Sequence, residues 1–247
     1  MSLSFISPQW PAPSSVRAVS TTRAGGVSQP PFDSFNLAMH IGDVDDNVLR
    51  NRAQLREDAR LPAEPRWLRQ VHGTTVVDAA SAADRPEADG SVADRPGAVC
   101  AVLTADCLPV LLCDRRGTVV AALHAGWRGL AAGIIEAGVA RMQRPPQEII
   151  AWLGPAIGPD AFEVGDEVRA AFIGHDDGAQ RCFRAHGDGH WLADIYALAA
   201  RRLSALGVEE VYGGGYCTLS ERGNFFSYRR DGRCGRMASL IWLEQKR

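Results

Sequence analysis

Much that would mark a specialised chain is missing from these 247 residues. No apolar stretch approaches the ~18 residues that a transmembrane helix needs. No basic run exceeds two residues and the formal net charge is only −2, which argues against nucleic acid or an acidic membrane as partner. The six cysteines, at 100, 107, 113, 182, 217 and 234, form no CxxC pair, and the chain is too long for a disulfide scaffold. They read as reduced thiols, which with an N-terminus of polar residues and prolines predicts a cytoplasmic protein. Neither a GxGxxG nor a P-loop pattern occurs, so a dinucleotide or Walker-type phosphate site is not expected. Internal repeats and low-complexity tracts are also lacking.

What remains is a chain long enough to bury roughly 70–75% of its unfolded surface without a metal or disulfide staple. Any metal it holds is therefore suspected of chemistry. Asp45–Arg60 predicts a helix, with Asp45 or Asp46 as N-cap. Trp67–Val77 reads as a broken strand carrying Gln70, Val71, His72 and Gly73. Three Val- and Leu-rich runs follow at Ala98–Leu103, Val110–Cys113 and Thr118–Leu123, the last two separated by the turn signal Asp114-Arg115-Arg116-Gly117. Helices are expected over Leu130–Met142, near Val164–Phe172 and over Ala193–Leu206, the last ending at Gly207. Strands are expected at Ile149–Leu153, Val208–Tyr212 and Met237–Leu243. Clustered strands with interspersed helices, and no βαβ alternation, predict an α+β protein with mixed sheets.

The turn at 114–117 suggests a site. Pairing Cys113 with Thr118 places Cys107 directly opposite His124, and cross-strand neighbours have Cβ atoms ~4.5–5.5 Å apart. A thiolate and an imidazole so placed can share one zinc. Pro109 and a bulge beside it leave that register open by a residue. Of the other histidines (His40, His72, His175, His186 and His190), His72 is the third candidate, because Gly73 beside it allows close approach. Cys107 also reads as a small core residue, and His124 as a hydrogen-bonded structural histidine. The pair His186 and His190 has metal-like spacing on a glycine-rich loop. Ala125 to Gly129 leads from a strand into a helix start that would favour an anion, reinforced by Arg128. Arg23 and the pair Arg229 and Arg230 are further phosphate-clamp candidates, although Arg230 reads better as solvated or salt-bridged.

At these residues the chain resembles the YfiH family, also labelled the multicopper polyphenol oxidase or laccase-domain family. The matching segments include Thr21–Ser28, Asn36-Leu37, Gly42-Asp43, Asn51-Arg52, Gln70–Gly73, Ala105–Pro109, His124–Gly129, Gly154–Gly158, Phe162–Gly165 and Phe225–Gly232 with Gly235–Ala238. They run in order along nearly the whole chain. The resemblance implies one catalytic domain over 1–247, with two mixed sheets sandwiched between helices in αββα layers, related to a cysteine-hydrolase-like fold. It implies zinc held by His72, Cys107 and His124, and substrate contacts at Arg23, Asn36, Gln70 and Arg128. The implied activities are phosphorolysis of adenosine, inosine, guanosine and methylthioadenosine, and adenosine deamination. Purine nucleosides and phosphate are then the small-molecule partners, and Asp106 or Glu163 is the candidate proton shuttle. The chain departs from some family members at Asp160, Ala161 and Leu219, outside the metal motifs. Two other chemistries fit the same residues, a copper-dependent phenol oxidase and a metal-free hydrolase with Cys107 as nucleophile and His124 as base.

Overall fold

The computed structural model describes residues 3–245. The first half runs β1 (Phe5–Ile6), β2 (Val16–Thr21), α1 (Asp45–Asp58), β3 (Val76–Asp78), β4 (Gly90–Ala93), β5 (Val99–Thr104), β6 (Leu108–Asp114) and β7 (Val120–Ala125). Then come α2 (Trp127–Ala132), α3 (Ile134–Met142), β8 (Ile149–Leu153), β9 (Glu163–Gly165) and α4 (Asp166–Ile173). The last part holds β10 (Phe183–Ala185), β11 (His190–Ala193), α5 (Ile195–Leu206), β12 (Glu210–Gly213), α6 (Tyr228–Asp231) and β13 (Met237–Leu243).

Two large sheets stack face to face. One has the order β1-β2-β13-β5 and is antiparallel throughout. The other, β12-β8-β6-β7-β4-β3, is mixed, with parallel pairs at β12/β8 and β3/β4. Between them Cys100, Val102 and Ile241 pack on Leu111, Val120, Ala122 and Trp152. The opposite face of the larger sheet, with Val110, Leu112, Leu123 and Leu153, is covered by Leu130, Ile134, Ile135, Phe172, Leu198 and Leu203 from α2 to α5. The outer face of the smaller one packs on Leu55 of α1 and on Phe35 and Trp67. The layers are thus helix, sheet, sheet, helix. Strands β5, β6, β7, β8 and β13 are buried on both faces. That is why they read as unbroken apolar runs without a two-residue alternation. A third, small sheet of order β10-β11-β9 lies outside the two layers read from the sequence.

Three local expectations are corrected. Leu130–Met142 is not one helix, because Gly133 adopts φ 104° and separates α2 from α3. Trp67–Val77 is strand only from Val76; the segment before it is a loop in which His72 has φ 60°. The hairpin register also differs. Asp114 N–H donates to Val119 O (3.1 Å), while the Asp114 carboxylate accepts from Thr118 N (2.6 Å), Thr118 Oγ1 (2.6 Å) and Val119 N (3.0 Å). With this buried acid in the turn Cys113 pairs with Val120, two residues beyond the expected Thr118, so His124 faces Pro109 and not Cys107.

Candidate metal centre

Three loops and strands converge where the two-sheet stack ends. His124 lies near the end of β7 and is almost fully buried. Cys107 sits one residue before β6, just after Asp106, whose φ of 94° bends the chain. His72 comes from the loop before β3. One ligand atom from each of these residues lies within 4.8 Å of the others. Cys107 Sγ is 3.9 Å from His72 Nε2, and the two imidazole rings meet edge to face with centroids 4.9 Å apart. The register correction therefore leaves Cys107 near His124, since both stay at the end of the hairpin away from its turn.

Asp89, immediately before β4, organises the cluster. Its buried carboxylate accepts from Val71 N (3.1 Å), His72 N (2.9 Å) and Gly73 N (2.7 Å). His124 Nδ1 lies 2.8 Å from the same carboxylate. One acid thus fixes the loop that carries His72 and, by engaging His124 Nδ1, leaves Nε2 to face Cys107, as in metal-bound histidines whose other ring nitrogen meets a carboxylate. Burial pushes the Asp89 carboxyl up, but hydrogen bonds from His124 and from the Gly73 and Val71 amides hold it below the usual range. Burial likewise opposes a Cys107 thiolate, yet the charge and hydrogen bonds of His124, with help from His72, bring the thiol down to about 6. In return burial lowers His124, and the Cys107 thiolate and Asp89 outweigh it, raising it to about 9. A soft anionic sulfur and two imidazoles form a donor set suited to zinc or copper.

The donor atoms border a cavity of about 430 Å³, within the range of small-molecule sites. Gln70 also lines it. Both ends of its amide are already bonded to the backbone of Leu103, at 2.8 Å each, so Gln70 pins the His72 loop to β5. The other substrate contacts that the resemblance implies do not line this cavity. Asn36 is fully buried and spends its amide on Ala38, Asp43 and the Arg236 N–H. Arg23 bonds Asp33 O (3.1 and 3.0 Å) in a different groove. Arg128 stacks on the Trp127 ring at 4.3 Å. Arg230 is held by backbone oxygens of Thr218, Leu219 and Phe225 and by Asp231. Arg229 reaches Glu163 O.

Neither proton-shuttle candidate lines this cavity. Asp106 accepts from Thr218 Oγ1 and Arg229 N, both at 2.6 Å. Glu163 is exposed and lies 3.6 Å from His186 and 3.0 Å from His190. Those two histidines therefore clasp an acid and do not join a three-ligand cluster among the described residues.

The family model described as multi-copper polyphenol oxidoreductase laccase matches residues 17–244, almost the whole chain. The chain belongs to the multi-copper polyphenol oxidoreductase laccase family. Similar laccase-family relatives carry a different label. The "Purine nucleoside phosphorylase YfiH" of Escherichia coli (strain K12) is 56% identical over 242 residues, covering 97% of this chain and 98% of the relative. A Pseudomonas aeruginosa protein also named purine nucleoside phosphorylase is 54% identical over 241 residues, with coverage of 97% and 98%. Among solved structures, a Neisseria meningitidis protein superposes with a TM-score of 0.95 at 53% identity, covering 98% of this chain and 99% of that one. A Bacillus licheniformis hypothetical protein YfiH gives 0.86 at 31% identity, with 93% of each covered.

In this laccase-family site Gly126 has a steric role. A Cβ there would lie 2.8 Å from His72 Cδ2 and 3.0 Å from Cys107 Sγ. Gly126→Ala is expected to push both donors apart and weaken metal binding about tenfold or more, as misplacing supporting groups does. The global melting temperature should move little, since the donors lie at the cavity edge. A zinc competition titration beside a thermal melt checks this, and unchanged affinity would refute the steric role.

Proposed function

We propose that the chain is a zinc-dependent purine nucleoside phosphorylase, with His72, Cys107 and His124 as the ligands and residues 1–247 as one catalytic domain. The carrying observation is the convergence of these three donors on a small-molecule-sized cavity. The names of relatives more than half identical along almost the full chain support the same reading.

In phosphorolysis a phosphate oxygen forms a bond to ribose C1′ as the C1′–N9 bond breaks. The bonding pair leaves with the purine, which takes up a proton, and ribose-1-phosphate is the other product. The exposed Tyr228 ring on the cavity wall offers a face on which a purine can stack. Asp89 keeps both histidines in place, and Gln70 holds the loop against β5. A zinc ion bound there supplies a Lewis acid and lowers the pKa of water, which is the chemistry that adenosine deamination at C6 needs. Adenosine, inosine, guanosine and methylthioadenosine are the expected substrates, with deamination of adenosine as a second activity.

Inosine consumption is expected to require added phosphate and to release hypoxanthine and ribose-1-phosphate in equal amounts. Chromatographic product analysis with and without phosphate checks this, and free ribose formed without phosphate would point to hydrolysis. Copper-dependent phenol oxidation fits less well. A multicopper centre consumes many histidines, and this chain has six, of which only His72 and His124 join a three-ligand cluster among the described residues. A metal-free hydrolase uses the same Cys107 and His124, so bound-metal content separates it from the zinc enzyme.

A further inference from the structure

Part of the cavity wall takes no part in holding the three donors. It is formed by His40, Tyr228 and Arg236. Their placement is built in, because Leu37 N donates to Arg236 O (3.3 Å) and Arg236 N donates to Asn36 Oδ1 (3.0 Å). Asn36 also ties its own loop together through Ala38 and Asp43 (3.1 and 2.8 Å), and that loop carries His40. A fully buried asparagine thus fixes His40 and Arg236 together.

The Arg236 guanidinium is only partly engaged. Its Nη1 donates to Cys234 O (2.8 Å) and Gly235 O (3.0 Å), with Cys234 Sγ at 3.5 Å. Its Cζ stands 5.7 Å from the Tyr228 ring centroid. No carboxylate pairs with it among the described residues, and Nε and Nη2 keep no protein partner there. Burial lowers the His40 imidazole below its usual range, and the Arg236, Arg85 and Arg52 guanidiniums lower it further. Arg52 is spent on Leu37 O and the Trp67 ring, whereas the exposed Arg85 has no partner among the described residues. A guanidinium with no carboxylate partner attracts an anion. A guanidinium with its Nε and Nη2 edge open matches two oxygens of a tetrahedral oxyanion.

We propose that Arg236 and His40 form the subsite for inorganic phosphate. The inference rests on the phosphorylase reading above, and goes beyond it by naming the residues that receive the second substrate. Arg236 donates two hydrogen bonds to phosphate oxygens, and His40 contributes a third contact.

The test compares the wild type with Arg236→Gln, Arg236→Lys and His40→Gln by two readouts. One is equilibrium binding of inorganic phosphate, followed calorimetrically; the other is the pair of KM values for phosphate and inosine. Arg236→Gln is expected to raise the phosphate KM about 10–100-fold, the size of a lost charge-assisted pair, with the inosine KM within about threefold. Arg236→Lys should recover only part of the loss, because an ammonium lacks the fork. His40→Gln should raise the phosphate KM about three- to tenfold. Should Arg236→Gln not fold, His40→Gln reads the same site from an exposed position. Unchanged phosphate binding and phosphate KM in the folded variants would overturn the subsite, as would an equal rise in both KM values. A wild type that binds phosphate, loses it on Arg236→Gln, yet cleaves no nucleoside would leave the anion site standing and overturn the phosphorylase reading.

Discussion

Cys107→Ala is expected to remove bound zinc and to lower nucleoside turnover by at least about a thousandfold, with the fold intact. The thiolate is the anionic member of the donor set, and two neutral imidazoles hold a divalent ion far less tightly. The loss should exceed the ~10–100-fold that outer-shell changes cause. Stability should change by no more than about 1 kcal/mol, because Cys107 is only half buried and outside the packed strands. The main cores lie elsewhere, between the sheets and under the helices. Zinc content, turnover and the urea midpoint, measured on the same preparation, check all three statements. A variant that kept full activity would refute the metal role.

Asp89→Asn should do the opposite kind of damage, striking fold and site together. The carboxylate receives three backbone amides and the His124 ring while fully buried. An asparagine offers one acceptor oxygen and turns an NH₂ group toward donors. Breaking such a buried charged network costs about 3–5 kcal/mol. The loop that holds His72 at φ 60° loses its tether, and His124 loses the partner that fixes its ring. Zinc affinity should fall about 10–100-fold even where the variant remains folded. Urea denaturation gives the first quantity and a zinc competition titration at low temperature gives the second. A folded variant with wild-type zinc affinity would show that Asp89 is structural only.

The strands around the site were readable because both faces of β5, β6, β7 and β8 are buried, which writes long Val, Leu and Ala runs into the sequence. The proximity of Cys107 and His124 followed from hairpin logic, although the assumed register was displaced. The displacement came from Asp114, whose carboxylate acts as an extra turn partner; a turn signal in sequence does not reveal which pair its side chain closes. The break at Gly133 was hidden inside an otherwise good helical pattern.

Asp89 carried no legible signal. It stands before Gly90, where Asp-Gly reads as an ordinary turn, and its partners arrive from a loop 16–18 positions earlier and from His124, 35 positions later. The sequence resemblance points to Asn36 and Gln70 as substrate contacts. In the structure Gln70 bonds the Leu103 backbone and Asn36 bonds the Ala38 and Arg236 backbone and the Asp43 carboxylate, so both hold the segments that carry His40, Arg236 and His72. Arg236 has no sequence signal of its own, because an arginine's free donors become visible only once its neighbours are placed.

The most direct test of the metal centre is elemental analysis of the purified wild type, combined with chelation and metal readdition. The proposed centre requires about one zinc per chain, with phosphate-dependent nucleoside cleavage lost on chelation and restored by zinc. Full nucleoside cleavage by protein free of zinc, or copper bound at several ions per chain with phenol oxidation, would contradict it.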